Sequence, residues 1–126
     1  MIIHFEEYTT ELNPDQQKIA IEIARNIQVR YSGRSKAVTS TFIINAYLKR
    51  GVKISPTVLR RMINFARNQG HPIAASGKGY FFPVTKEERE EYKIGLLQRI
   101  GEIVRIYNAI NRVFDHNFKP LTIHQS

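Results

Sequence analysis

Apolar residues recur three and four positions apart along most of the chain, which is the spacing of helices with one buried face. The first such segment begins at a helix-start signal. Asn13 can cap the helix, Pro14 can take the first helical position, and Gln16 completes a capping box. These residues predict a helix from Pro14 to about Tyr31, with an apolar stripe made of Ile19, Ala20, Ile23 and Ile27.

A polar loop over 32–35 follows and is interpreted as a plain surface turn, with phosphate contact as the alternative. Lys36-Ala37-Val38 is a candidate for a very short strand. One of Thr39, Ser40 and Thr41 then caps a second helix that runs through Arg50, where Gly51 is the stop signal. Its apolar positions are Phe42, Ile43, Ala46, Tyr47 and Leu48.

The third helical segment has sharp limits, with Ser55 as cap, Pro56 at the first position and Gly70 as the stop. At about 100° per residue, one arc is apolar and should be buried: Leu59, Met62, Ile63 and Ala66. A second arc is polar and cationic, with no acid, and its residue types hydrogen-bond base edges and phosphates. It contains Thr57, Arg60, Arg61, Asn64, Arg67 and Asn68.

After this helix the helical spacing of apolar residues ends, and the sequence becomes typical of a β-hairpin. Residues 71–76 should be extended, Gly77-Lys78-Gly79 should form a turn, and Tyr80-Phe81-Phe82 has strong strand propensity up to Pro83. Alternation puts Tyr80 and Phe82 on one side and Phe81 on the other, where they are expected to fill the core. Because an isolated hairpin is marginal in water, it must pack on the helices.

The last helical segment starts with a capping box over 85–88 and should run to about Asp115, which is roughly 45 Å at 1.5 Å per residue. Apolar positions alternate three and four apart in a heptad seam, which predicts a homodimer or higher oligomer. The alternative is that the helix folds back on its own domain. The seam consists of Leu97, Ile100, Val104, Tyr107, Asn111 and Phe114, with Asn111 as a register-setting polar residue; Leu96, Ile103, Ile106, Ile110 and Val113 widen the apolar arc.

These elements predict a mainly α protein with a small β-hairpin, in the α+β class. We expect an N-terminal arm over 1–13, one domain over 14–84, the long helix over 85–115 and a tail over 116–126. The arm alternates apolar and acidic residues. Three roles are open for it: packing on the core, adding a strand, or crossing to a second subunit.

The charge pattern changes the functional picture. The chain of 126 residues has a formal net charge of +8, and it has no Asp or Glu between Glu22 and Glu87. The same interval carries twelve basic residues, so a polyanionic partner is indicated, because an acid near a phosphate would weaken binding. Nucleic acid is favoured over an anionic membrane, since the basic residues are spread over several elements and not gathered on one amphipathic helix.

Other classes of function find little support in the sequence. There is no cysteine for a disulfide or thiolate metal site, no apolar run of membrane-spanning length and no signal peptide, so we expect a cytoplasmic protein. The four histidines lack metal-ligand spacing, and no Gly-rich phosphate-binding motif is present. We therefore predict neither an enzyme nor a metal or cofactor site, and no small-molecule substrate.

The run GVKISPTVLRRMINFARNQGHPIAASGKGYFF, over 51–82, resembles the recognition-helix and wing segment of winged helix-turn-helix proteins of the small phage and prophage type. The resemblance covers about 14–84 and is most specific over 77–82. It implies binding to double-stranded DNA, with the helix over 56–68 in the major groove and the wing over 73–82 on the backbone. Carried over by position, the base readers are Arg60, Arg61 and Asn64, and the flanking contacts are Thr57, Arg67 and Asn68. Lys78 becomes a contact made by the wing. Lys53, together with Lys49 and Arg50, can contact the DNA backbone or form a solvated helix end.

The sequence thus predicts a dimeric transcriptional regulator of a phage or other mobile element, reading a two-fold site whose half-sites lie one DNA turn or a multiple of it apart. Two alternatives stay open. One is a replication-organising or origin-binding protein of the same fold. The other is a protein-interaction module whose basic face meets an acidic partner. An RNA duplex is a weaker candidate, because its major groove excludes a reading helix.

Overall fold

Four α-helices, one turn of 3-10 helix and one hairpin make up the regular structure of residues 12–122, the part of the chain that this computed structural model describes. The helices are α1 (Pro14–Arg30), α2 (Ser40–Lys49), α3 (Pro56–Asn68) and α4 (Lys86–Phe114), the strands are β1 (Ala74–Ser76) and β2 (Gly79–Phe81), and the 3-10 turn is Arg34–Lys36. The prediction of a mainly helical α+β chain with a small hairpin is confirmed. The interpretations of the arm over 1–11 and of the last tail residues, 123–126, lie outside the described residues.

The helices begin where local side-chain caps satisfy their first backbone N–H groups. Asn13 Oδ1 accepts from Gln16 N at 2.8 Å, and Gln16 Oε1 accepts in return from Asn13 N at 3.0 Å. Thr39 is the cap of α2, with its Oγ1 3.1 Å from Phe42 N. Ser55 caps α3 in the same way. Each predicted start is therefore confirmed, and of the three candidates for α2 the structure selects Thr39.

The start of α4 is a capping box that also reaches the preceding loop. Thr85 Oγ1 accepts from Glu88 N at 3.1 Å, and Glu88 Oε1 accepts from Thr85 N at 3.2 Å and from Val84 N at 2.9 Å. The other carboxylate oxygen, Oε2, accepts from the backbone N of Arg34 at 2.8 Å. Three of these hydrogen bonds close the first turn of α4, and the fourth, to Arg34 N, attaches that turn to the loop over 32–35.

The core lies between α1, α2, α3 and the hairpin, and the contact between α1 and α3 is the most extensive one between helices. Leu12, at the end of the predicted arm, is 7% exposed and belongs to this core. The side chains that contribute most are Ala20, Ile23, Ala24 and Ile27 of α1, Leu59, Met62, Ile63 and Ala66 of α3, and Val38, Ile43, Tyr47, Ile54 and Ile73 from the segments between and after them.

The hairpin pairs Ala74 with Phe81 and Ser76 with Gly79, so its turn contains only Gly77 and Lys78. The second strand therefore begins one residue earlier than predicted and ends at Phe81. Phe81 is 2% exposed, as expected, and its neighbours Tyr80 and Phe82 pack against the core. The aromatic residues of the hairpin are thus structural.

The hairpin is held to the helices by two isolated bridges. Val38 exchanges two backbone hydrogen bonds with Tyr80, at 2.7 and 2.8 Å, and Ser32 pairs with Phe82. The very short strand predicted over 36–38 is correct for Val38 but wrong for Lys36, which belongs to the 3-10 turn. The second strand is therefore paired on both sides, which stabilises a hairpin that would be marginal in isolation.

The chain divides into two compact units, one through Glu88 and one from Arg89, so the division falls inside α4 and not at its start. The second unit contains the rest of α4 and the segment that follows it. No described residue of α4 is buried. Over residues 12–122, no helix combines the length and apolarity that crossing a bilayer demands.

Candidate nucleic-acid interface

Helix α3 is oriented by the burial of one arc. Leu59, Met62, Ile63 and Ala66 are each at most 2% exposed. This confirms the predicted apolar arc. Because helical positions three and four apart share a face, the polar arc on the opposite side is directed away from the core.

The residues of that polar arc differ in how far they emerge. Arg60 and Asn68 are exposed. Four others are half-buried: Thr57, Arg61, Asn64 and Arg67. Arg60 Nη2 donates to Thr57 Oγ1 at 3.3 Å, one turn earlier on the same face. The arc is thus partly recessed, and its exposed basic residue, Arg60, lies in the first half of the helix.

Arg61 has an unusual environment for a predicted base reader. Its Nε is shielded from solvent and has no hydrogen-bond partner among the described residues. A shielded donor without a partner is unfavourable by about 1–3 kcal/mol. Part of the Arg61 side chain is therefore directed inward. The sequence, in which Arg61 is a base reader by resemblance, gave no signal for this.

Arg67 connects α3 to the hairpin. Its Nε donates to the backbone carbonyl of Ile73 at 2.9 Å, and Ile73 itself is 1% exposed. The residue predicted as a phosphate contact therefore has a structural role as well, since it satisfies a carbonyl just before the first strand.

The hairpin tip is ordered by short local hydrogen bonds. Ser76 Oγ accepts from Lys78 N at 3.2 Å and lies 3.5 Å from Gly79 O. The Lys78 side chain is exposed, as is that of Lys53 before α3. Both predicted cations are thus accessible to a partner.

An open depression lies between this hairpin and the start of α2. Thr39, Ser40 and Ser76 contribute hydroxyl groups to its lining, beside Gly77 and Tyr80. The sequence analysis did not relate these hydroxyl groups to the hairpin. The feature that could have indicated them is the run Thr39-Ser40-Thr41 at a helix start with no acid in the first turn.

One basic residue near the predicted interface is paired with an acid. Arg50 Nη1 and Tyr47 OH both donate to Glu22 Oε1, each at 2.6 Å, and the Arg50 guanidinium lies 4.8 Å from the Tyr47 ring centroid. The hydrogen bond from Arg50, and then that from Tyr47, lowers the pKa of Glu22. Burial and the Glu22 contact raise the pKa of Tyr47. Beside the two roles left open for Arg50, phosphate contact or solvated helix end, the structure shows an ion pair that joins the end of α2 to α1.

The loop over 32–35 is likewise tied to the fold. The Arg34 guanidinium lies 5.7 Å from the centroid of the Phe81 ring, and its backbone N–H bonds Glu88. That backbone bond is the main reason why the pKa of Glu88 is lowered, followed by those from Val84 and Thr85. The loop was interpreted as a plain surface turn, and these contacts give it a structural role that the interpretation did not include.

The six predicted dimerisation residues do not share one environment. Leu97, Ile100, Tyr107 and Phe114 are exposed, whereas Val104 and Asn111 are half-buried. Asn111 Nδ2 donates to the Tyr107 carbonyl of the same helix at 2.8 Å. Within residues 12–122, no group of three His, Asp or Glu side chains is arranged to hold a metal ion.

Comparison of the chain with protein-family models, with curated proteins and with solved structures gives no match.

Proposed function

We propose that this protein binds double-stranded DNA as a winged helix-turn-helix module, with α3 in the major groove and the hairpin along the backbone. In this proposal the protein acts as a dimeric transcriptional regulator of a phage or another mobile element. The supporting observation is the burial of Leu59, Met62, Ile63 and Ala66, which directs the acid-free arc of α3 outward.

The base-reading residues in this proposal are Arg60 and Asn64, together with the outer part of Arg61. Arginine can bond two acceptors on guanine, and asparagine can pair with adenine through two hydrogen bonds. Thr57, Arg67 and Asn68 flank them and are assigned to the DNA backbone. Lys78 at the hairpin tip and Lys53 before α3 are assigned to phosphates, because both are exposed.

The charge distribution supports a polyphosphate partner. No acid occurs between Glu22 and Glu87, and Glu22 itself is paired with Arg50. A module that meets an acidic protein would share this charge pattern, so the salt titration below has to separate the two functions.

The test is a salt titration of binding to a labelled duplex of random sequence. The logarithm of the binding constant should fall linearly with that of the salt concentration, with a slope of about −0.9 for each phosphate contacted. Replacing Lys78 by Ala should reduce the slope by about one, whereas Arg112→Ala, which removes an exposed cation from α4, should leave it unchanged.

A flat salt response would overturn the proposal and favour the interaction module. If the salt response is steep, selection from a random duplex pool distinguishes a regulator from a replication-organising protein. One enriched two-fold sequence supports a regulator, whereas an array of repeated sites supports a replication-organising protein.

A further inference from the structure

The second half of α4 carries two overlapping apolar seams, which share Ile100, Tyr107 and Phe114. The predicted seam is Leu97, Ile100, Val104, Tyr107, Asn111 and Phe114. A second one, here called the outer seam, has the same alternating spacing and consists of Leu96, Ile100, Ile103, Tyr107, Ile110 and Phe114. The outer seam is apolar at all six positions, whereas the predicted seam contains an asparagine. In the structure, the residues that the two seams do not share differ in how far they are buried.

The segment after α4 lies on the side of the predicted seam. Asn108 Nδ2 donates to the Leu121 carbonyl at 3.0 Å, and Leu121 N donates to Asn108 Oδ1 at 2.9 Å. The rings of Tyr107 and Phe118 meet edge to face with centroids 5.8 Å apart. Asn108 adjoins Val104 and Asn111 on the helix surface, because they are four and three residues away. The chain's own tail therefore occupies this side.

The burial of the seam residues agrees with that placement. Val104, Asn108 and Asn111 are half-buried, although α4 has no fully buried residue. The amide of Asn111 already donates within its own helix, to Tyr107 O. One donor of the Asn111 amide is therefore used within α4 itself.

The outer seam meets the tail at Tyr107, which contacts Phe118, but it is otherwise largely accessible. Its six residues are between 38% and 78% exposed, and Ile106 and Val113, which flank it, are 60% and 79% exposed. At roughly 150–200 Å² for a fully exposed large side chain, the low part of the aromatic range, these eight leave on the order of 700–900 Å² uncovered. A stable interface takes about 800 Å² from each partner.

We infer that a second copy of this chain packs on the outer seam, with the two helices antiparallel. This inference specifies the interface of the dimer in the proposed function. An interface between two copies related by a two-fold axis must be complementary to itself, and the outer seam meets that condition. A two-fold axis near residue 105 places Leu96 against Phe114, Ile100 against Ile110, and Ile103 against Tyr107.

The size of the side chains favours the antiparallel orientation. Both aromatic residues of the seam lie in its C-terminal half, so antiparallel pairing sets each of them against an aliphatic residue. Parallel pairing would place Tyr107 on Tyr107 and Phe114 on Phe114, and facing positions pack best when large and small side chains alternate. Antiparallel pairing also separates the two acidic helix starts, which carry Glu87, Glu88, Glu90 and Glu91.

The first test measures the mass of the full-length protein in solution by light scattering. The wild type should have the mass of two chains, and Ile103→Asp should have the mass of one. Gln98→Asp is the matched control because Gln98 is exposed on the opposite side of α4 and should stay dimeric, as should Asn111→Ala. Circular dichroism verifies that each variant is folded. A monomeric wild type, or a dimeric Ile103→Asp, would overturn the inference.

The second test uses the absence of cysteine from the chain. A mixture of Leu96→Cys and Phe114→Cys proteins should form the mixed disulfide under mild oxidation, while Leu96→Cys alone should cross-link little. Efficient self-cross-linking of Leu96→Cys would show parallel helices and refute the orientation. Failure here is distinguishable from failure of DNA binding, because a monomer that keeps the steep salt dependence retains the proposed function without this interface.

Discussion

Arg67 Nε donates a 2.9 Å hydrogen bond to the carbonyl oxygen of Ile73, and this bond joins the last turn of α3 to the segment that leads into the hairpin. The two elements proposed to contact DNA are thus connected by a side chain of the proposed interface. Rigid placement of contact groups matters for recognition, because each group that must be ordered on binding reduces the affinity. Arg67 is therefore expected to affect both stability and binding.

Replacing Arg67 by Ala should lower the free energy of unfolding by about 1–2 kcal/mol, because the carbonyl of the buried Ile73 loses a charged donor. Duplex affinity should fall as well. The matched variant is Arg60→Ala, which removes an exposed arginine from the same helix. It should reduce affinity while changing stability by less than about 0.5 kcal/mol. Urea unfolding and duplex titration of both variants measure this, and equal stabilities would show that the Arg67 bond contributes little.

Gly79 should not tolerate a side chain. Its φ is +121°, and a Cβ atom there would lie 2.1 Å from the Val38 carbonyl oxygen, in the bridge that holds the hairpin to the helices. Gly79→Ala should therefore destabilise the protein by several kcal/mol, through strain and loss of the bridge. Gly77, two residues away in the turn, has no atom within 4 Å of such a Cβ. Thermal unfolding should show Gly77→Ala close to wild type; a similar loss in both variants would contradict the close approach at Gly79.

Arg60 and Lys78 should differ in what their loss does to sequence preference. Arg60→Ala should relax preference at one base position and weaken binding to the selected site by about 1–3 kcal/mol, since a bidentate contact to a base is removed. Lys78→Ala should weaken all duplexes to a similar degree. Titration against the selected site and against single-base variants of it measures the difference. Uniform losses in both variants would exclude base reading by Arg60.

The contact of Glu22 with Arg50 and Tyr47 predicts acid sensitivity. Its pKa lies below the ordinary value of 4.5 because both partners hydrogen-bond to the ionised form. A group with a depressed pKa in the folded state stabilises the fold at pH values above its ordinary pKa, and this contribution is lost as the pH falls through the lowered value. Urea unfolding between pH 7 and pH 3 should therefore show a smaller loss for Glu22→Gln than for the wild type.

The control for this effect is Glu102→Gln, which removes an exposed carboxylate from α4. It should keep the wild-type pH dependence. If Glu22→Gln and Glu102→Gln follow the wild type equally closely, the ion pair with Arg50 contributes nothing measurable to stability, as is common for exposed pairs.

The start of every helix was predictable because each signal is local. Asn13 with Gln16, Ser55 with Val58, and Thr85 with Glu88 are all three residues apart, so their hydrogen bonds form within one turn. The buried arc of α3 was equally predictable. Its four residues repeat with the helical period, and the hydrophobic effect puts such a stripe inside whatever the neighbours are.

The contacts between distant parts of the chain were not predictable in this way. Tyr47 and Arg50 reach Glu22 across 25 and 28 residues, and Arg34 reaches Glu88 across 54. No periodic pattern specifies which polar side chains meet after the helices pack. For the same reason the basic residues looked equivalent in the sequence, although Arg50 is paired, Arg61 is turned partly inward and Lys78 is exposed.

The sequence by itself determined the order and type of the elements, the apolar faces and the acid-free interval, since these depend on neighbouring residues and on composition. Only the tertiary structure decided which part of each face stays accessible. On α4 the heptad spacing suits two overlapping seams, and the tail returns to Asn108 on the side of one of them. The physical reason is that a helical period restricts a residue to a face, whereas exposure depends on what the rest of the chain packs against that face.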